Sequence, residues 1–164
     1  VHPCLVNKDS YIGNVNGVMN AVIIEGEPVG ESVLQGEGAG PGPTSSALMS
    51  DLLSILRGNI KFPFGIPNIK RKSIKVFNYD NYINSLYLRF EVKDKPGVLA
   101  QITNRLAIKN ISVERLIQIP NYKNKTASIV IITHKSKELD AQHCINAISN
   151  SKNILKYPTL IRLL

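Results

Sequence analysis

The sequence predicts an α+β chain in two dissimilar parts: a few strands with one long helix, then a ferredoxin-like βαββαβ unit. Three observations carry that expectation. From Leu86 onward the apolar residues switch between a period of two and a period near 3.6 in the order of that unit. Glycine stands at 36, 38, 40 and 42 and runs straight into an apolar helical pattern. Between the two parts, residues 59–85 hold Pro63 and Pro67 and no sustained period, which marks a linker.

In chain order, residues 1–6 are short, apolar and β-compatible, and Asn7-Lys8-Asp9-Ser10 has the composition of a turn. Glycine and asparagine dilute residues 11–20, which support a short helix or loop. Residues 21–30 read as a strand ended by the Gly26-Glu27-Pro28 turn, and residues 31–35 as its hairpin partner feeding the glycines. Ala47, Leu48, Met49, Leu52, Leu53, Ile55 and Leu56 then fall at helical spacing. Thr44 or Ser45 is placed to cap this helix, and Gly58 stands where a left-handed C-cap would stand. Residues 1–60 offer no second long helix to cover its apolar face. This part is therefore read as incomplete, with the helix packing on a domain outside the chain. A helix start just past a glycine loop also suits a phosphate or carboxylate, because first-turn N–H groups lack internal partners.

The second part reads more sharply. Residues 86–92 alternate as a strand, Asp94-Lys95-Pro96-Gly97 is a turn, and Val98, Leu99, Ile102, Leu106 and Ala107 mark one helix face ending near Asn110. Ile111, Val113, Ile117 and Ile119 alternate as a second strand, and residues 120–125 make a hairpin turn. The Ile/Val run at 127–133 predicts a strand buried in mid-sheet. Leu139, Cys144, Ile145 and Ile148 mark a second helix, and residues 154–164 a last strand that Pro158 assigns to a sheet edge.

The net charge of +8 is unevenly spread. Residues 1–60 carry two Lys+Arg against six Asp+Glu, residues 61–85 five against one, and residues 86–164 thirteen against five. The basic residues are mostly lysines scattered among Asn and Ile, with no aromatic clustering, so a solvated surface is expected and a nucleic-acid partner is not. Lys70-Arg71-Lys72 is read as part of a solvated connector. Cys4 and Cys144 lie far apart with no CxxC and no His pair nearby, which argues against a disulfide framework or a metal site. They are expected to be small core fillers, and His2, His134 and His143 surface or strand-end residues. No apolar run is long enough to span a bilayer, and a soluble, reducing, cytoplasmic setting is expected. The start at Val1-His2-Pro3 implies a longer protein.

Two stretches carry a family resemblance. Residues 86–164, with Asp94-Lys95-Pro96-Gly97-Val98-Leu99 and Asn110-Ile111-Ser112-Val113, resemble an ACT domain, the amino-acid-sensing module. Residues 14–57, with Gly17-Val18-Met19-Asn20-Ala21-Val22, Val29-Gly30 and Gly36-Glu37-Gly38-Ala39-Gly40-Pro41-Gly42-Pro43-Thr44-Ser45-Ser46-Ala47, resemble the C-terminal half of homoserine dehydrogenase. Residues 1–58 are then the end of a catalytic region, 59–85 a linker and 86–164 a regulatory domain. Where the family usually shows Pro-Leu-Ala, this chain has Tyr11-Ile12-Gly13.

The resemblance implies an NAD- or NADP-dependent parent enzyme that interconverts homoserine and aspartate semialdehyde. The catalytic lysine, the acidic substrate-binding residues and the dinucleotide fingerprint of the family precede Val1, so no catalytic residue is assigned in this chain and the chain alone is expected to be inactive. Gly38, Ala39 and Gly40 are implied to line the cofactor face, or else to form a tight crossover; Thr44 either helps bind cofactor or caps the helix. Asp94, Pro96, Gly97, Val98 and Leu99, with Asn110 and Ile111, are implied to bind an amino-acid effector, with threonine suggested by the family; the other reading is an ordinary turn and cap in a domain that only dimerises. The implied partners are that effector and a second copy through the ACT domains. A free-standing amino-acid-binding regulator is the rival reading.

Overall fold

The computed structural model describes residues 1–59 and 65–164, and the predicted α+β class holds. Two compact units emerge, Asn7–Val76 and a second made of Val1–Val6 with Phe77–Leu164. The short strand β1 (Cys4–Leu5) belongs to the second of these.

In the unit Asn7–Val76, a turn at 7–10 leads into a single 3-10 turn, Ile12–Asn14. The Ser10 hydroxyl ties the two, donating to Asn7 O at 2.6 Å and accepting from Gly13 N at 3.0 Å. A Cβ on Gly13 would strike the Asn7 carbonyl oxygen and come within 2.8 Å of Lys8 Cα, so this tuck needs glycine. Strands β2 (Met19–Gly26) and β3 (Gly30–Glu37) form the expected hairpin, with Ala21 opposite Gln35 and Gly26 opposite Gly30.

Helix α1 spans Pro41–Leu56 and ends in a Schellman motif. Gly58, at φ 75°, donates to Ile55 O, and Asn59 N donates to Ser54 O, both at 2.9 Å. The C-cap expected at Gly58 is therefore present. The expected N-cap is not: α1 begins at Pro41, three residues before Thr44, with Gly40 at the cap. Proline is pre-set for the first helical position, which lets the helix start inside the glycine run. None of the α1 side chains is buried, and Leu48, Met49, Leu52, Leu53, Ile55 and Leu56 are exposed.

In the second unit a small ladder joins β4 (Ile83–Asn84), inside the expected linker, to β8 (Ser136–Lys137). Around it, β5 (Leu86–Lys93), β6 (Val113–Asn121), β7 (Thr126–Thr133) and β9 (Thr159–Leu163) join β1 in a five-stranded sheet of order β1-β9-β5-β7-β6. Helices α2 (Val98–Ile108) and α3 (Glu138–Ser149) cover one sheet face. Leu86, Leu88, Phe90 and Val92 from β5 and Ala127, Ile129 and Ile131 from β7 meet Val98, Ile102, Leu106, Ala141, Cys144, Ile145 and Ile148 in one core. Alternation places Tyr87, Arg89, Ser128, Val130 and Ile132 on the other, half-open face. So β7 lies in mid-sheet as expected but is buried on one face only.

Two sequence expectations fail here. Pro158 precedes β9 instead of lying within it, and β9 is not an edge strand, because β1 pairs with it in parallel: Cys4 lies opposite Arg162 and Leu5 opposite Leu163. In β6 a register shift between Val113 and Arg115 inserts one extra residue. Val113 keeps to the helix-covered face, whereas Ile117 and Ile119, opposite Val130 and Ser128, turn to the open face and are more than half exposed. A single inserted residue reverses the side of every residue after it.

Candidate functional site

The residues singled out by sequence fall in three places. Gly38, Ala39, Gly40 and Thr44 form the passage from β3 into α1. Gly38 N donates to Val18 O at 2.9 Å, and a Cβ on Gly38 would run into the Asn20 carboxamide. Gly40, at φ 116° and ψ 159°, holds a conformation in effect reserved for glycine. Gly40→Ala is expected to cost about 1–3 kcal/mol, read as a lower urea midpoint of the chain. Thr44 does not cap: its hydroxyl donates back to Gly40 O at 2.7 Å, and Ser45 Oγ donates to Gly42 O at 3.0 Å.

The chemistry of this helix start is narrower than the glycine run suggests. Pro41 and Pro43 have no N–H, and Thr44 N is spent on Gly40 O at 3.3 Å. The amides of Gly40 and Gly42 are the donors left for an anion. The passage contributes bare backbone and no charged side chain. It does not make a phosphate cradle by itself.

The second place is a cleft of about 390 Å³ lined by Val92–Pro96, Val98, Leu99, Gln118 and Ile129. Gly97, at φ 87°, is the N-cap of α2 and turns the chain from β5 into the helix; its carbonyl accepts Gln101 N at 2.9 Å. Asp94 N is held by Lys125 O at 3.0 Å. Glycine at 97 and the missing N–H at Pro96 make this turn tight, so Asp94, Pro96, Val98 and Leu99 share one wall of the cleft. The first-turn amides of α2 point toward that end, as at any helix start.

Asn110 and Ile111 lie elsewhere. They close the far end of α2, which is about 16 Å long at 1.5 Å per residue. Asn110 is left-handed at φ 55°; its N–H donates to Ala107 O at 2.9 Å, while Ile111 N reaches Leu106 O at 3.0 Å. This is a second Schellman cap, with the apolar residue after the cap buried at 3% exposure. The structure does not bring these two residues to the cleft within one copy.

A fourth place was missed by sequence reasoning. Glu138, the first residue of α3, is 1% exposed and carries a two-pronged ion pair with Arg162 of β9. Arg162 Nη2 donates to Oε1 at 2.7 Å and Nε to Oε2 at 3.1 Å; Gln142 Nε2 adds a bond to Oε1 at 3.1 Å. The pair borders a cavity of about 320 Å³ with Ile145, Pro158 and Leu160. The two residues are 24 positions apart, and only the fold brings them together.

Cys144 faces the core and donates its thiol to Arg105 O at 3.2 Å. Burial pushes this thiol above its ordinary value of 9.0; Lys109 pulls it down, Asp140 pushes up and Arg105 pulls down, each by less. A raised folded value means that the thiol's contribution to stability is whole below pH about 9 and is lost as pH rises through the folded value. Melting temperature is therefore expected to fall more steeply above pH about 9 in the parent than in Cys144→Ala, and Cys144 to react with thiol reagents later than the half-buried Cys4.

Family comparisons agree with both parts of the geometry. Residues 1–53 match the homoserine dehydrogenase family model, and residues 86–150 match the ACT domain model. The chain belongs to the homoserine dehydrogenase family and corresponds to its C-terminal portion. A homoserine dehydrogenase of Neisseria gonorrhoeae is 37% identical over 99% of this chain and 39% of its own length. One from Synechocystis is 32% identical over 100% of this chain and 39% of its own length. The crystal structure of a homoserine dehydrogenase from Thiobacillus denitrificans superposes with a TM-score of 0.84 at 30% identity, covering 99% of this chain and 38% of that one. The chain thus spans about 39% of the length of the curated relatives it matches. In this family setting β1, the β2–β3 hairpin and most of α1 fall in the dehydrogenase-matched run, and the cleft at Asp94–Leu99 in the ACT-matched run. No helix among the described residues is long and apolar enough to cross a membrane.

Proposed function

We propose that this chain is the regulatory end of an NAD- or NADP-dependent oxidoreductase of the cytoplasm that interconverts homoserine and aspartate 4-semialdehyde, on the route to threonine, methionine and isoleucine. The observation that carries this reading is the pairing of the two family matches with the exposed apolar side of α1. Leu52, Leu53, Ile55 and Leu56 stand in solvent in a 16-residue helix with no buried side chain. A dehydrogenase portion preceding Val1 supplies the surface that α1 needs; a free-standing regulator has no use for such a helix. Gly38, Ala39, Gly40 and Thr44 then form one wall of the cofactor site. The bound nicotinamide supplies the hydride chemistry, and this chain supplies backbone that lets it approach.

The ACT domain, in this reading, takes a small amino acid, threonine by preference, in the cleft at Asp94, Pro96, Gly97, Val98 and Leu99. Asn110 and Ile111 reach such a ligand only from a neighbouring copy, which ties binding to self-association through ACT domains. Titration calorimetry of the chain with threonine, isoleucine, methionine and lysine tests the effector site: heat with one of them supports it, and no heat with any sinks it. A dehydrogenase assay of the chain by itself is expected to show no turnover; measurable turnover contradicts the placement of the chemistry before Val1.

A further inference from the structure

The cavity beside the Glu138–Arg162 pair is built like a small-molecule site, and the dehydrogenase and effector readings leave it unused. Stability does not account for the pair, because a buried ion pair returns about what its desolvation costs. The geometry points to the guanidinium instead. The Glu138 side chain is closed to solvent at 1% exposure, whereas that of Arg162, at 12%, is the member of the pair that solvent reaches; both line the cavity. Glu138 grips Arg162 side-on, through Nε and Nη2. A guanidinium is a rigid fork of five N–H donors, and its end-on edge, Nη1 with Nη2, has the shape that matches a carboxylate.

The other walls are held in place before any ligand arrives. Gln142, one turn along α3 from Glu138, gives one Nε2 hydrogen to the Glu138 carboxylate at 3.1 Å and carries a second. The Tyr157 hydroxyl donates to Asn146 Oδ1 at 2.8 Å, which pins its exposed ring beside α3. Ile145, Pro158 and Leu160 supply the apolar side, and a volume of about 320 Å³ suits a compact molecule. The basic excess of residues 86–164, thirteen Lys and Arg against five Asp and Glu, draws anions toward this unit. An ammonium finds no such reception, since the Glu138 carboxylate is closed to solvent. We infer that this cavity binds a small aliphatic carboxylate, its oxygens on Arg162 and Gln142 and its carbon chain against Ile145, Pro158 and Leu160. Short fatty acids, 2-oxo acids and amino acids share that chemistry. The cavity has no lining residue in common with the Asp94–Leu99 cleft, so the inference is independent of the effector reading.

The test is titration calorimetry of the full-length protein containing this chain with isovalerate, α-ketoisocaproate and leucine, and with isovaleramide as the uncharged control. Heat is expected with one or more of the three carboxylates, and the one that binds tightest names the source; isovaleramide is expected to bind about tenfold more weakly or not at all. Arg162→Lys keeps a charge for Glu138 but loses the fork, and is expected to weaken that carboxylate by about tenfold or more. Gln142→Trp leaves the ion pair in place and fills the mouth of the cavity from an exposed position; it is expected to abolish the heat while the melting temperature stays close to the parent's. Gly97→Val, in the other cleft, is expected to leave binding within about twofold of the parent. No heat with any of the three carboxylates overturns the site, as does isovaleramide binding as tightly as isovalerate. Binding that survives Gln142→Trp in a protein that melts like the parent, or that is lost in Gly97→Val instead, overturns it too.

Discussion

Replacing Glu138 by alanine is expected to lower the stability of the C-terminal unit by about 3–5 kcal/mol, the cost of removing one member of a buried ion pair. The Arg162 side chain is 12% exposed, and its Nε and Nη2 both donate to this carboxylate. Gln142 also loses its acceptor. Glu138 sits in the first turn of α3, where a carboxylate is favoured by the helix dipole, so the substitution removes that smaller term too. Urea unfolding followed by circular dichroism reads the effect as a lower midpoint at unchanged slope. The control is the double variant Glu138→Leu with Arg162→Met, which removes both charges and is expected to recover most of the loss, since buried pairs exchange well for apolar residues of similar volume. A single variant within about 1 kcal/mol of the parent would mean that the carboxylate contributes little beyond what water provides.

Under the proposed effector reading, Gly97→Val is expected to abolish ligand heat in the Asp94–Leu99 cleft while the sheet and both helices stay folded. Glycine 97 stands at φ 87° and ψ −13°, and a Cβ there meets no atom within 4 Å. The penalty is therefore purely one of backbone conformation, about 1–2 kcal/mol for an ordinary residue and more for a β-branched one. A valine relieves that strain by moving φ back to negative values, which swings Pro96 and the start of α2 away from Gln118 and Ile129 across the cleft. Gly97→Ala should weaken binding less, in the same direction. Wild-type ligand affinity in the valine variant, with circular dichroism unchanged, would place the effector elsewhere.

Local patterning made much of the architecture readable. The period-two segments of β5 and β7, the helical spacing of α2 and α3, and the βαββαβ order rest on interactions between near neighbours in sequence, and they fold as expected. Gly58 behaves as the C-cap its position suggested, because a helix end needs a left-handed residue and glycine adopts that conformation without strain. Thr44 went the other way. Side-chain capping and proline at the first helical position are competing ways to begin a helix, and Pro41 wins by starting it earlier. Asn110 carried a functional expectation from its motif, whereas its left-handed backbone explains its place as a helix cap.

By itself, then, the sequence determined the class of fold, the βαββαβ order of the second part and the glycine-dependent turns at Gly40 and Gly97, which follow from backbone conformation and periodicity over a few residues; the family of each part came from the resemblance of its motifs. Tertiary structure alone decided that Val1–Val6 completes the ACT sheet, that the bulge after Val113 turns Ile117 and Ile119 outward, and that Glu138 meets Arg162. Each of these is a pairing across a long stretch of chain, or a register set by such a pairing. Strand edges and buried charges find partners by position in space, and adjacent residues carry no record of which partner that will be.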